Sequence, residues 1–533
     1  MNDSTFRRDV ERWIAADPDP ADAAALRAAS PAELTEWFAQ PLAFGTAGLR
    51  GPLRPGPAGM NLAVVLRASA GLAQHLAATH PHGEPIVVGH DARHRSREFA
   101  HAAAEVFAGA GFEVVLLPRA LPTPVVAYAV RTLGAAAGVQ ITASHNPAGD
   151  NGYKVYVEGG AQLVSPADRE IEAAIAGAGP TNRIPRTPVA VSDDAVVARY
   201  VARAASLVSA PHRSVRIALT TLHGVGGELG VATLRRAGFD DVHVVDEQFA
   251  PDPDFPTAPK PNPEEPGTTD ALLALARRVD ADLAIAFDPD ADRCAVGIPT
   301  PDGWRMLRGD ETGVLLAEHV LARTSEPDPL VATTIVSSTL LDVLAPARGA
   351  RCARTLTGFK WLVRAGDGLV YAYEEALGMC VDPDAVRDKD GISAAVVAAD
   401  LVATLRDRGE TVASRLDDLA VEFGVYAADQ VSLEARDRAR ITEVMTRWRT
   451  RPPDTLAGER VSTTDLAATE GSQRTDAVVL QGDSCRLVVR PSGTEPKIKF
   501  YLEVVEPTPS RAALTDARAR ARQRLAALRG EIG

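Results

Sequence analysis

Short apolar runs alternate along this chain with longer stretches whose apolar residues recur at helical spacing, and the alternation repeats. Ile86-Val87-Val88 reads as a buried strand, a helix follows near Glu98 to Phe107, and Ala110-Gly111-Phe112 leads into a strand at Val114 to Leu117. The same succession returns as strand Val215 to Leu219, a helix near Glu228 to Arg236, and Ala237-Gly238-Phe239 leading into Val242 to Val245. A fainter third copy runs from Leu330 to Val336 through a helix to Arg348-Gly349-Ala350. Helices alternating with short apolar strands predict α/β layers, and copies this widely spaced predict three related α/β/α domains rather than a solenoid. The Pro- and Asp-rich stretch Ala250 to Pro266 is expected to be a long loop inside the second copy. Past about Val421 the pattern changes. Arg486 to Val489 and Lys497 to Val505 read as strands around a tight loop, followed by a charged amphipathic helix from Ser510 to Leu528. That predicts a smaller α+β C-terminal domain. Residues 4–40 read as helical pieces packed on the first domain. The expected boundaries are 1–206, 207–320, 321–422 and 423–533.

Composition narrows the class. A chain of 533 residues is too long for one hydrophobic core, so several domains are required. No apolar run approaches the roughly 18 residues needed to cross a bilayer, and the charged N-terminus has no signal-peptide core. Cys294, Cys352, Cys380 and Cys485 are far apart with no CxxC spacing. They read as free thiols of a cytoplasmic protein, with no zinc site. A net charge of −13 argues against nucleic acid or an anionic membrane as partner. An anionic substrate then needs a locally positive cleft. Of 57 basic residues only six are lysines: Lys154, Lys260, Lys360, Lys389, Lys497 and Lys499. Where Arg has been used almost everywhere, a remaining Lys marks a place where a compact charge able to give up a proton is wanted, or has survived by chance.

Several loops carry chemistry. The apolar run Ala137 to Ile141 reads as a buried strand and ends in Thr142-Ala143-Ser144-His145-Asn146-Pro147, which puts the Ser144 hydroxyl at the lip of a sheet. Alone, a strand-end Ser before Asn-Pro is an ordinary turn residue. Asp288-Pro289-Asp290-Ala291-Asp292-Arg293 follows the apolar strand Leu283 to Phe287. In extended chain its carboxylates at i, i+2 and i+4 fall on one side and suit Mg²⁺, with a further ligand from a phosphate. An EF-hand loop is excluded, because Arg293 and Pro299 stand where Gly and Glu are required. Arg490-Pro491-Ser492-Gly493-Thr494 lies between two strands and forms a phosphate cradle or a plain hairpin. Gly45 to Gly51 is a glycine-rich loop presenting Arg50. Thr357-Gly358-Phe359-Lys360 offers an anion site. Tyr373-Glu374-Glu375-Ala376-Leu377-Gly378 offers carboxylates for hydroxyl groups, and Arg387 to Gly391 adds Lys389. A serine hydrolase is excluded, since no G-x-S-x-G elbow is present and adjacent Ser144 and His145 point apart in extended chain. Neither a Walker A loop nor a kinase glycine loop occurs. A phosphoserine enzyme that transfers its phosphoryl group to a bound sugar phosphate uses every part.

These motifs, in this order, resemble the α-D-phosphohexomutases, the superfamily of phosphoglucomutases and phosphomannomutases, over nearly the whole chain. The resemblance implies three related α/β domains and a fourth α+β domain around a central cleft. It implies a phosphoserine at Ser144 and Mg²⁺ held by Asp288, Asp290, Asp292 and a phosphate oxygen on Ser144. Arg490, Ser492, Gly493 and Thr494 would hold the phosphate that is not reacting, and Arg293, Thr357, Gly358, Lys360, Glu374, Glu375 and Lys389 would bind the sugar phosphate. The expected reaction interconverts hexose 1-phosphate and hexose 6-phosphate through a hexose 1,6-bisphosphate, in a monomer or homodimer. Many members have Ser where this chain has Ala376. That form, with Asp388-Lys389-Asp390-Gly391, His223 to Gly227 and Asn262 to Pro266, resembles a branch that includes phosphopentomutases, which keeps ribose or deoxyribose 1-phosphate open as the substrate. A Mg²⁺-dependent sugar phosphatase and a catalytically silent sugar-phosphate sensor are the rival classes. Arg50 is expected to stabilise the transferring group. Lys154 is expected to be the general base, its pKa lowered by neighbouring cations such as Arg50, with His145 as the second candidate.

Overall fold

The structure, a computed structural model, describes residues 3–43, 48–80, 83–434, 438–471, 474–492 and 497–532 of the chain. Ile86–His90 is buried along its whole length and lies inside a sheet ordered Leu49–Pro52, Asp150–Val157, Ala137–Ile141, Ile86–His90, Val114–Leu116. The last three strands are parallel, and Asp150–Val157 turns back antiparallel on Ala137–Ile141. The second sheet repeats the plan. Cys294–Thr300 runs antiparallel to Leu283–Phe287, which is parallel to Ile217–Thr220, itself parallel to Val242–Val244. A third set, Arg351–Thr355, Leu330–Thr334 and Leu369–Glu374, is again parallel with its first strand in the middle. The three copies seen in the hydrophobic pattern are therefore copies of one topology.

One expected strand is shorter than its apolar pattern. Leu330 to Val336 leaves the sheet after Thr334, whose Oγ1 accepts hydrogen bonds from the N–H groups of Val336 and Ser337 at 3.3 and 3.2 Å. A side-chain acceptor thus replaces the ladder and turns the chain. The C-terminal domain is a fully antiparallel sheet ordered Val425–Glu434, Lys497–Glu506, Cys485–Pro491, Val478–Gln481, Ser462–Asp465. The helices Arg438–Thr450 and Leu514–Gly530 accompany it, and Trp448, Phe500 and Leu528 lie in its core. The N-terminal residues form helices Asp3–Ala16, Pro20–Ala28 and Pro31–Trp37, tied down where Arg95 donates to Asp19 and Asp22.

The chain packs into two compact units. One is Met1–Gly297, Trp304–Met306 and Gly378–Asp400; the other is Ile298–Gly303, Leu307–Leu377 and Leu401–Gly533. The segment Gly378–Asp400, expected within a contiguous third domain, packs with the first unit. Tyr156 and Gln162 donate to Asp388, Tyr200 donates to Asp390, and the N–H groups of Ser209 and Ala210 donate to Asp400. Among the described residues no helix is long and apolar enough to cross a membrane.

The strand Leu283–Phe287 delivers the aspartate loop, and its last side chain packs against the helix Gly226–Arg236. Phe287 is fully buried, and a Cβ placed on Gly230 would lie 2.7 Å from its ring. Gly230→Ala is expected to destabilise the protein by about 1–3 kcal/mol through overpacking, measured as a lower denaturant midpoint at unchanged slope.

Candidate active site

Ser144 follows the first sheet's strand Ala137–Ile141 but does not continue it. Its φ is +52°, a left-handed conformation that costs a non-glycine residue about 1–3 kcal/mol. The surroundings enforce it. Thr142 Oγ1 accepts from Ser144 N–H at 2.9 Å, and the buried Arg93 guanidinium donates to the carbonyls of Ser144, Asn146, Pro147 and Asp150. Because the chain is bent here, Ser144 and His145 do not point apart as extended chain would require. Ser144 Oγ lies 3.2 Å from His145 Nδ1, and it donates to Asp288 Oδ2 at 2.8 Å. Ser144 is only 3% exposed.

Asp288, Asp290 and Asp292 also converge, but by a turn rather than by alternation along a strand. Ala291 has φ +52° and its N–H bonds back to Asp288 O at 2.8 Å. All three residues are buried, with one carboxylate oxygen of each within 4.8 Å of the others. Neighbouring backbone sets the turn. Val225 N–H donates to Pro289 O at 2.9 Å, and Gly224 packs so closely that a Cβ there would come within 2.3 Å of Pro289 Cα. Thr123 donates through both N–H and Oγ1 to Asp290.

Cations from distant parts of the chain meet this triad. Lys154, in the strand Asp150–Val157, donates to Asp290 at 2.6 Å and Asp292 at 2.8 Å, and Lys389 lies 3.4 Å from Asp292. Arg293 is 3.5 Å from Glu264 and 4.0 Å from Asp292, and Arg50 donates to Asn146 Oδ1. Burial and the charges of Asp292 and Asp290 push Asp288 well above the carboxylate range. Burial would raise Asp290 as well, but Lys154 holds it below that range. The expectation that neighbouring cations lower Lys154 is reversed. Burial and Arg50 do act downward, yet Asp290 and Asp292 outweigh them and Lys154 sits above its ordinary value. The lowered group is His145, kept well below its ordinary value by burial and by Arg293 and Arg50, so its imidazole is neutral at pH 7.

The triad has the character of a divalent-cation site. Asp290 Oδ1 and Asp292 Oδ1 are buried and accept no hydrogen bond, which leaves two hard oxygens for an ion.

The second unit holds the other expected residues. Glu375 is half-buried, and its Oε2 accepts from Ser337 Oγ at 3.0 Å and Thr334 Oγ1 at 3.2 Å. Tyr501 hydrogen-bonds Arg490 and feels the charges of Glu375 and Glu374, so these groups are neighbours. Leu356, just before Thr357, packs on the apolar cluster that contains Tyr501. Gly358 has φ +105° and precedes the short helix Phe359–Leu362, in which Lys360 is buried beside Trp361. Ser492 ends the described part of the phosphate loop, its N–H donating to Lys497 O; Gly493 and Thr494 lie outside the described residues. Lys389, expected to bind the sugar phosphate, lies beside Asp292 of the aspartate triad in the first unit.

Sequence reasoning missed Arg93 and Thr123. The available signal was position: Asp91-Ala92-Arg93 directly follows the buried strand Ile86–His90, at the same sheet end as Ser144.

The chain is similar to known proteins along most of its length. Models of the phosphoglucomutase/phosphomannomutase family match in chain order: α/β/α domain I at residues 41–181, domain II at 198–301, domain III at 308–423 and the C-terminal domain at 458–521. A probable phosphomannomutase of Haemophilus influenzae is 44% identical over 84% of this chain and 93% of its own length. A probable phosphoribomutase of Schizosaccharomyces pombe is 33% identical over 92% of each chain. The crystal structure of a putative phosphomannomutase from Thermus thermophilus shares the fold, with a TM-score of 0.68, 24% identity, and coverage of 91% of this chain and 99% of that one.

One buried acid beside Glu375 makes stability depend on pH. Asp310 accepts from Ser338 N–H at 2.8 Å and Tyr373 Oη at 3.1 Å, and burial, with Glu375 and Glu503 nearby, pushes it up to about 7. Its folded-state value lies above its unfolded one. The stability it contributes is complete below the unfolded value near 3.8 and is lost as pH rises through about 7. Thermal midpoints between pH 5.5 and 8.5 are expected to fall less steeply for Asp310→Asn than for the wild type; equal slopes would remove Asp310 as the cause.

Proposed function

The chain belongs to the phosphoglucomutase/phosphomannomutase family and is a phosphomutase, and we propose that it interconverts hexose 1-phosphates and hexose 6-phosphates, glucose or mannose, through a phosphoserine at Ser144. The observation that carries this reading is the 2.8 Å contact between Ser144 Oγ and Asp288, which puts a strained hydroxyl in the mouth of a buried three-aspartate site. A phosphoryl group on Ser144 would meet whatever cation the aspartates bind. Asp288, Asp290 and Asp292 would hold Mg²⁺ together with that phosphate. The ion supplies positive charge to the oxygens of the transferring group.

In this scheme a sugar hydroxyl attacks phosphorus, the bond from phosphorus to Ser144 Oγ breaks, and a hexose 1,6-bisphosphate forms. The bisphosphate reorients, and its other phosphate returns to Ser144. Arg50 and Arg293 add positive charge beside the transferring oxygens, where most of the acceleration of phosphoryl transfer arises. The hydroxyl proton goes to His145, whose ring is already neutral; Lys154, held protonated by Asp290 and Asp292, is the alternative acceptor only where it has lost its proton. Arg490 and Ser492, with Gly493 and Thr494, hold the idle phosphate. Glu374 and Glu375 accept from sugar hydroxyls in either orientation. A small anionic substrate, with no nucleic acid or membrane involved, suits a monomer or homodimer in the cytoplasm. The Schizosaccharomyces pombe relative named a probable phosphoribomutase favours pentose phosphates as a second substrate class.

Ser144→Ala is expected to lower mutase kcat by about 10⁴-fold or more with unchanged circular dichroism, and phosphopeptide mapping of the wild type should find Ser144. Substantial residual activity would sink the assignment. Lys154→Arg keeps the charge and loses the usable proton site, and a rate near wild type leaves the role to His145; a fall of about 10²–10⁴-fold supports Lys154 as base only where His145→Gln stays near wild type. kcat/KM for glucose 1-phosphate, mannose 1-phosphate, ribose 1-phosphate and glucosamine 1-phosphate, with a hexose bisphosphate as activator, ranks the sugars. Net release of inorganic phosphate in the same assay would instead identify a phosphatase.

A further inference from the structure

The turn Thr334 to Thr339, where the third copy's central strand leaves its sheet, is gripped from several sides. Arg354 donates to the carbonyls of Thr334, Ser337 and Ser338 at 3.0, 3.2 and 2.9 Å. Two of the grips come from the antiparallel sheet of the C-terminal domain. Arg486, on Cys485–Pro491, donates to Ile335 O, and Glu503, on Lys497–Glu506, accepts from Thr339 N–H at 3.0 Å with each of its oxygens and from Thr339 Oγ1. Ile335 and Val336 are buried in one apolar cluster with Ala477, Val488 and Tyr501. The turn is therefore a plug seated in that sheet.

The other side of the plug faces the sugar loop. The hydroxyls of Ser337 and Thr334, 2.9 Å from each other, both reach Glu375 Oε2. Gly309 lies so close behind the same loop that a Cβ there would come within 1.8 Å of Glu375 O, which leaves this backbone no room to retreat. One Glu375 oxygen is thus spent on the plug and fixes the direction of the other. Glu503 is 5% exposed, and both of its carboxylate oxygens are engaged by Thr339.

We propose that Glu503 is a positioning residue for sugar recognition, acting through the Thr334–Thr339 turn on the carboxylate of Glu375. The inference rests on the reading of Glu375 as a sugar contact. Glu503 holds Thr339 at the start of the helix Leu340–Ala347, and the turn between Thr334 and Thr339 is short enough that moving one end moves the hydroxyls that aim Glu375. The strand that carries Arg486 also carries Arg490, so the sugar carboxylate and the phosphate arginine are referenced to one sheet.

The test is steady-state kinetics on the full-length enzyme with glucose 1-phosphate, or whichever sugar phosphate ranks first, at measured active-site concentration. Glu503→Gln keeps the shape and weakens a charge-assisted acceptor. It is expected to raise KM about 10-fold with kcat within about threefold. Glu375→Gln should raise KM as well, and the double variant should be no worse than the poorer single, because both act on one contact. Thr339→Val reads the same link should Glu503→Gln fold badly, and Thr339→Ser, which keeps the donor, should restore wild-type KM. A purely structural Glu503 would lower the active fraction and leave KM unchanged, which overturns the proposal while Glu375 keeps its role. An unchanged KM in Glu375→Gln would overturn the sugar-contact reading itself.

Discussion

Three carboxylates gathered within 4.8 Å of one another and buried from water cannot stand uncompensated, and much of the first unit is arranged around that constraint. Each buried ion costs several kcal/mol before any repulsion between like charges is counted. The chain answers with Lys154 at 2.6 Å from Asp290 and with Lys389 near Asp292, while burial and its two neighbours push the pKa of Asp288 upward. Those lysines arrive from a strand of the first sheet and from a segment that returns after the third copy. Their convergence on one loop explains why Gly378–Asp400 belongs to the first unit. The compensation remains incomplete, since one oxygen each on Asp290 and Asp292 accepts no hydrogen bond. Buried hard oxygens without a donor, in a triad that a strained serine touches, suit a cation and a phosphate together.

The repeated topology makes this convergence possible. In each copy the third parallel strand in chain order ends where a loop carries function. The first sheet supplies the serine loop after Ala137–Ile141, the second the aspartate loop after Leu283–Phe287, and the third the loop of Glu374 and Glu375 at the end of Leu369–Glu374. A single plan, used three times, supplies three loops with the same orientation to their own sheets and different chemistry. The C-terminal domain departs from the plan. Its antiparallel sheet presents a loop between neighbouring strands, which suits a phosphate cradle.

Much of this was legible in the sequence, and the failures have a common physical origin. The strands and helices of all three copies, the strand pair and final helix of the C-terminal domain and the serine and aspartate loops follow from hydrophobic period and breaker residues. Local backbone at the loops did not. Ser144 and Ala291 take positive φ, so reasoning from extended chain misdirected His145 and gave the wrong reason for the clustering of the aspartates. Lys154 was misjudged for a different cause. Its pKa depends on which charges lie nearest, and Asp290 is 136 positions away in sequence. Arg93 and Glu503 went unnoticed because each acts on a backbone far from it in the chain, and no local motif records such a partner.

Arginine and lysine divide the work along physical lines. Arg93 gathers the carbonyls of Ser144, Asn146, Pro147 and Asp150, and Arg354 gathers those of Thr334, Ser337 and Ser338. Only a planar fork with five donors can collect that many acceptors at once. Drawing the carbonyls inward to a guanidinium leaves the side chains of the same turns free to face the other way. Ser144 Oγ then reaches Asp288, and Ser337 Oγ reaches Glu375. The lysines do the opposite task. At the triad a compact ammonium fits between two carboxylates, where a fork would demand acceptors in its own plane. Lys154 and Lys389 are buried there, whereas Lys260, in the long loop of the second copy, is exposed. In a chain that writes nearly every basic residue as arginine, the two lysines at the triad stand where charge without shape is what the site requires.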